Sequence, residues 1–438
     1  QMGISAKAIQ GADIMGFAAH YKAVGLPVPQ ALMLDLDDFS VPAAEQDGED
    51  IDPSEAFTQM ANEILGQGGT AYDVFNALEA MLAAVPDELE AHFAYHLTSL
   101  EEPVFETCAL YNLLAGGPLV QEATVAGLHE RQSQSGLKRD TVSLLPTIRS
   151  WLEEGQAKSG LDALIKLCRR ATPLPDHAEN DLVIEEILAS IADGVGAQSI
   201  AIRFTRDNKA QAAMLLIKSG HGVKDAFLVP PGDASETERV VSHLRDEAGA
   251  EKISLQTFTL LLEVALADGL RNGALPAYGV IDVVSACALF DLRPQELSLE
   301  ALLQHADRDQ KIQNASAQSL GRWINDEVAL DEIEQLTDSW FENTEETRKI
   351  VERARTDRSV ENKIWKYLDG RRDRWARRFL QTALMLRDSG QTREWRMLTA
   401  SAAGLMNGRS LKRIPMMRDI VDTTIAAASE PPWLRELF

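Results

Sequence analysis

Apolar residues along most of this chain recur every three to four positions, in short runs broken by Gly, Pro and Asp, which predicts a series of helices of modest length. Phe57, Met60, Ile64 and Leu65 form one such run, and Val74, Leu78, Met81 and Leu82 form the next. Segments that begin near Pro103, Arg139 and Asp176 lie about 36 residues apart, and each of the first two holds a pair of helices. A period of that length suggests an α-solenoid, in which each helix pair buries its apolar face only by stacking on the next. Ahead of these segments, residues 4–24 and 28–34 predict an N-terminal helical pair. Asp35 to Glu55 then carries nine acids, two prolines and no Lys or Arg, the composition of a solvated linker or loop.

The period changes at residue 198. Ile200, Ile202 and Phe204 alternate with polar or small neighbours, Asp207-Asn208 supplies a turn, and Ala210 to Lys218 is an apolar run of strand length. A third run, Val223 to Val229, stops at Pro230-Pro231. The links are too short for the crossover that parallel strands require, so an antiparallel meander is expected. Ser235-x-x-Glu238 reads as a capping box, residues 254–271 read as a strongly apolar helix, and one face of the meander is expected to pack on these helices. From 317 to 430 the helical pattern returns with five of the seven tryptophans: Trp323, Trp340, Trp365, Trp375 and Trp395. The fold class expected is therefore mainly α: α-solenoid-like helical pairs, a small antiparallel α+β unit in the middle and a C-terminal helical bundle. The corresponding domains are 2–56 (N-terminal helices and acidic linker), 57–193 (helical repeats), 194–300 (small α+β unit) and 301–438 (basic C-terminal bundle). Gln1 before Met2 reads as the remnant of an expression tag and is left out of the reasoning.

The unit from Pro103 to Leu128 sets Val104, Phe105, Cys108, Leu110, Leu113 and Leu114 on one helix. A Gly116-Gly117-Pro118 turn follows, then Val120, Ala123, Ala126 and Leu128 on a second helix. That arrangement resembles a HEAT repeat, in which a Pro-containing turn is followed by Val and by small residues that let helices approach closely. The resemblance covers about 30 residues closely and 53–192 more loosely, and the second unit lacks the Val and the small-residue pattern. It implies an extended helical surface that binds other proteins, and many unrelated functions use such surfaces.

Composition bounds the picture further. With 438 residues, 45% of them hydrophobic, the chain can bury more than one core. No apolar run approaches the roughly 18 to 20 residues that span a bilayer, and residues 2–24 mix Lys7, Asp13, His20 and Lys22 among apolar positions, so a cytoplasmic protein without membrane contact is expected. Cys108, Cys168 and Cys287 are far apart, each in an apolar helical pattern, and read as buried thiols. The formal charge is −24, but residues 341–418 hold 19 Lys+Arg against 10 Asp+Glu, a net of +9 that leaves −33 for the remainder.

Several local patterns offer chemistry. Lys363, Lys366, Arg371, Arg372, Arg374, Arg377 and Arg378, interleaved with Trp365, Tyr367 and Trp375, have the composition of a nucleic-acid surface. On a helix starting near Arg371, the arginines 371, 374 and 378 form one stripe, and Trp375, Phe379, Thr382 and Leu386 form a neighbouring stripe that should point into the bundle. Gly220-His221-Gly222, between Lys218 and Lys224, could form an anion loop of backbone amides, one imidazole and two cations, or could serve only a turn between strands. Glu88, His92 and His96 fall at i, i+4 and i+8, a face that could hold a metal, with a polar stripe as the plainer reading. Ala31 to Asp38, with Asp35-x-Asp37, is similar to the opening motif of haloacid-dehalogenase-type phosphatases, which implies a nucleophile at Asp35 and an acid/base at Asp37. The bulky Phe39 and the absence of a following parallel strand depart from that family.

These features favour a non-enzymatic protein-interaction scaffold without a cofactor and with another protein as partner. The alternatives are a nucleic-acid-associated protein using residues 363–418 and a phosphate-ester hydrolase around Asp35 and Asp37.

Overall fold

The structure, a computed structural model, describes residues 53–171, 182–229 and 234–429, together with positions 18, 21, 28, 29, 32 and 33. The expected N-terminal helical pair lies almost wholly outside the described residues, as do Asp35 and Asp37. Helices α1 (Pro53–Gly66), α2 (Ala71–Leu82), α3 (Asp87–Leu97), α4 (Pro103–Ala115), α5 (Pro118–Gln134), α6 (Arg139–Trp151) and α7 (Gln156–Ala171) come first. Strands β1 (Val183–Ala189), β2 (Ala197–Arg206), β3 (Lys209–Lys218) and β4 (Gly222–Val229) follow, then α8 (Ala234–Ala248), the two-residue β5 (Glu251–Lys252) and α9 (Leu255–Arg271). The chain continues through α10 (Val280–Ala286), α11 (Leu299–Ala306), α12 (Ala317–Ile324), α13 (Glu327–Thr337), α14 (Glu345–Arg353) and α15 (Asp357–Asp369). It ends with α16 (Arg372–Asp388), α17 (Thr392–Met406) and α18 (Pro415–Ser429). Among the described residues no helix is long and apolar enough to cross a membrane.

The chain forms two compact units. One comprises Gln1–Ala178 with Ala277–Asp291, the other Glu179–Pro276 with Leu292–Phe438. In the first unit α3 packs on α5, α4 on α5, α5 on α7 and α6 on α7, and the returning helix α10 packs on α6. The hairpin expected from Pro103 to Leu128 is α4 and α5, with Pro103 and Pro118 in the first turns of their helices, where a missing N–H leaves nothing unpaired. Phe75, Tyr111 and Tyr278 form a ring cluster at its centre, with centroids 4.8 to 5.3 Å apart.

The third repeat, expected from Asp176, is not helical where it is described, because Val183–Ala189 is a strand. Ile184, Ile187 and Leu188 stand at i, i+3 and i+4, which imitates a helical stripe. In the strand a β-bulge between Ile184 and Glu186 shifts the register, so that apolar residues reach the same side despite odd spacing.

The sheet order is β4-β3-β2-β1-β5, with every pair antiparallel. β2, β3 and β4 are the expected meander, with Asp207-Asn208, both at positive φ, turning β2 into β3. The expectation of a single packed face is corrected, since helices cover both. Leu188, Ala201 and Ala212 meet Val241 and Leu244 of α8 on one side. On the other, Gln198 Nε2 lies 3.0 Å from Met385 Sδ of α16, and α9 packs on β3 and β4. Burial on both faces explains why β3 reads as a nearly continuous apolar run. Gly222 and Gly269 let α9 approach this closely, because a Cβ on Gly222 would stand 3.0 Å from Gly269 Cα.

One buried acid in the first unit has a consequence for stability. Asp282 of α10 accepts a hydrogen bond at 2.5 Å from the Tyr111 hydroxyl. Burial pushes its carboxyl from 3.8 up to about 6, with the Tyr111 donor pulling part of the way back. Because the folded state holds this proton more tightly than the unfolded chain, the contribution is full below about pH 4 and is lost as pH rises through about 6. Urea unfolding of wild type and Asp282→Asn at a series of pH values is expected to show the variant gaining about 3 kcal/mol relative to wild type between pH 4 and pH 7. A difference that stays flat across that window would refute the assignment.

Candidate functional site

The second unit is organised around α16, whose sequence carries two adjoining stripes. Trp375, Phe379, Thr382 and Leu386 are buried, as the apolar periodicity predicts, and the Trp340 ring stacks on Phe379 at 5.4 Å. The neighbouring face carries Arg374, Arg377, Arg378 and Gln381, at i, i+3, i+4 and i+7, and these line a cleft of about 370 Å³. The other walls come from the β1–β2 loop (Val195, Gly196), the end of β3, the apolar side of α9 (Leu261, Val264) and the segment 295–297.

Arg378 is the deepest of the cations, only 4% exposed. Its Nη1 donates to Gly194 O at 2.9 Å, and its guanidinium sits 5.0 Å from the Trp375 ring centroid. Burial, and then the neighbouring charge of Arg374, pull it down to about 10, so it remains a cation at neutral pH. Arg374 also donates to Gly194 O, at 3.4 Å, and pairs at 3.4 Å with Glu342, a carboxylate only 1% exposed that Arg371 and the Tyr367 hydroxyl also approach. Arg377 donates to Leu297 O at 2.9 Å, and its burial lowers its pKa. The two carboxylates in the wall, Asp268 and Glu296, each pair with Arg271 at 3.2 Å.

The sequence-derived candidates therefore separate. Arg374 and Arg378 enter the cleft. Lys363, Lys366 and Arg371 instead border a shallow depression with Glu346 and Tyr367, where Arg371 lies over the Tyr367 ring at 4.4 Å. Lys218 stands at the rim of the cleft, although strand alternation places its side chain on the face opposite Ile217. The Gly220 amide donates to the Asp268 carboxylate, His221 Nδ1 lies 3.2 Å from Ser219 O, and Lys224 is exposed outside the cleft, so the loop 218–224 serves as a turn tied to α9. Glu88 is exposed on α3. His92 Nε2 meets the Ser54 hydroxyl at 3.0 Å and His96 Nε2 the Thr58 hydroxyl at 2.8 Å, which ties α3 to α1. No group of three or more His, Cys, Asp or Glu among the described residues could hold a metal ion. The three cysteines are free and buried, and burial pushes the Cys108 thiol up to about 12, a poor nucleophile.

Arg377, part of the basic run but outside the stripe of 371, 374 and 378, joins Arg374 and Arg378 on this face through the spacing 374, 377, 378 and 381. What the sequence did not contain was the loop carbonyl that turns this face inward.

The glycine beneath Arg378 tests this geometry. Gly196 sits at φ +84°, and a Cβ there would stand 2.4 Å from Ser219 Oγ and 2.9 Å from Arg378 Nη2. Gly196→Ala is expected to lower stability by about 2 kcal/mol, read as a lower urea midpoint, by combining left-handed strain with overpacking. An unchanged midpoint would show that the loop does not seat the guanidinium.

Comparison with known proteins gives the following. A Y4lR C-terminal helical domain matches residues 300–429, a Y4lR second domain matches residues 86–172, and a domain of unknown function (DUF7401) matches residues 179–314. An uncharacterized protein y4lR of Sinorhizobium fredii is 42% identical over 435 residues, covering 98% of this chain and 82% of its own length. No solved structure matches.

Proposed function

The chain belongs to the y4lR family, and from that premise we propose that it works as a non-enzymatic protein-interaction scaffold, holding a partner rather than transforming a substrate. The observation that carries this reading is the chemistry of the cleft wall. Its described lining contains arginines, carboxamides and two carboxylates already paired to Arg271, but no histidine, cysteine or tyrosine. Such a wall attracts negative charge and lacks the side chains that most often carry protons near neutral pH. The paired helices of the first unit support a HEAT-like role in presenting a surface to a partner.

The nucleic-acid alternative draws less support. All five arginines of α16, at 372, 374, 377, 378 and 387, donate to backbone carbonyls of their own unit. Each is thereby tied to the fold, and the other exposed cations of this region, Lys363, Lys366, Arg393, Lys412, Arg413 and Arg418, are spread over several segments rather than along one helix.

Full-length chain immobilised and exposed to lysate at moderate salt is expected to retain a protein at fixed stoichiometry, with no nucleic acid. Retention of DNA or RNA that is released by salt and lost on Lys363→Glu with Lys366→Glu would replace this reading with the second one. Hydrolysis of a phosphate ester that Asp35→Asn and Asp37→Asn abolish would replace it with the third.

A further inference from the structure

We propose that the arginine-lined cleft of the second unit is a binding site for a small organic anion that carries a phosphate group. This goes beyond the scaffold reading and does not depend on it, since the donors of the cleft wall hold a small anion whether or not the chain also holds a protein partner.

Four features carry the assignment. The first is Arg378, a cation 4% exposed whose one hydrogen bond among the described residues goes to a neutral carbonyl and which forms no ion pair with a described carboxylate. The charges of Glu342 and Asp193 act on it only from beyond ion-pair distance, so a counter-charge that arrives with a ligand relieves the cost of its burial. The second is convergence: Arg374 and Arg377 stand beside Arg378 on one helical face and line the same cleft, with the Gln381 carboxamide one turn on. The third is that no carboxylate of the wall forms an ion pair with Arg377 or Arg378 among the described residues: Asp268 and Glu296 are held by Arg271, and Glu342 pairs with Arg374 and Arg371. The fourth is space: a cavity of about 370 Å³ falls within the range of small-molecule sites, and Leu261 and Val264 give it an apolar wall.

These features together select the ligand class. Three guanidiniums present planar donor forks that match the oxygens of a phosphate, which accepts from several forks at once and carries nearly two charges. A single carboxylate would satisfy one fork and leave the others facing an empty cleft. The apolar wall receives the organic part of the molecule, so a phosphate ester fits the whole site better than inorganic phosphate.

Calorimetric titration of the full chain with inorganic phosphate, phenyl phosphate and acetate tests this. Phenyl phosphate is expected to bind saturably, at least tenfold tighter than acetate and tighter than inorganic phosphate. Arg377→Gln should weaken both phosphate probes tenfold or more, whereas Lys224→Gln, outside the cleft, should leave them unchanged. Arg378→Met should abolish binding and, because it removes the hydrogen bond to Gly194 O, melt below wild type. If Arg378→Met does not fold, Arg377→Gln and Arg374→Gln decide the matter by their affinities. The proposal is overturned if neither phosphate probe gives saturable heat, if acetate binds as tightly as phenyl phosphate, or if Arg377→Gln binds like wild type.

Discussion

The contact between the Arg378 guanidinium and the Gly194 carbonyl is the constraint on which the second unit depends. It fixes the loop between β1 and β2 against α16, and so fixes how the sheet meets the helix. Around it the same loop is held a second time, because Trp340 Nε1 donates to Ala192 O at 2.8 Å while the Trp340 ring packs on Phe379. Glu342, two residues beyond Trp340, takes Arg374, and its own backbone amide donates to Thr424 Oγ1 of α18 at 3.0 Å. The apolar stripe and the charged stripe of α16 are thereby committed in one arrangement, and neither can rotate away without releasing the other.

The logic of unit 1 differs. Its buried ion pair closes within the unit: Arg131 pairs at 3.2 Å with Glu106, a carboxylate 1% exposed, and donates to the carbonyls of Thr98 and Leu100. Asp282 has the Tyr111 hydroxyl, and the imidazoles of His92 and His96 have hydroxyls of α1. Paired groups of this kind register helices against one another. In unit 2 the wall of the cleft is instead cationic and incompletely paired. That contrast, rather than any motif, is what singles out the cleft of the second unit as the candidate site.

Much of the architecture was legible because the local signals agreed with the tertiary outcome. Ile200, Ile202 and Phe204 alternate, Asp207-Asn208 turns, and β2 and β3 form. β1 was hidden because Ile184, Ile187 and Leu188 carry helical spacing, and only the bulge reconciles that spacing with a strand. The meeting of Gly222 with Gly269 was hidden for another reason, since two isolated glycines 47 positions apart carry no sign that their backbones touch. For the cleft, the arginines were visible as a basic run, but their direction was not. A stripe of cations beside an aromatic stripe suggests a solvated rim, and only the carbonyls of Gly194 and Leu297, which no side-chain pattern reports, draw it inward.

The charge distribution takes on a different meaning once direction is known. The residues outside 341–418 carry −33, and a field of that sign slows the approach of long polyanions over distances comparable to the Debye length, about 8 Å at physiological salt. Within the cleft the balance reverses, because guanidiniums shielded by protein act over short distances with little screening. A nucleic-acid backbone spans many charges and must lie along the outer surface, where it meets repulsion, whereas a small anion crosses that field once and then exchanges water for fixed donors. For the site proposed, this arrangement favours a small anion over a long polyanion by size as well as by charge. The same arginines that suggest nucleic acid when read along the sequence oppose it when read in the fold.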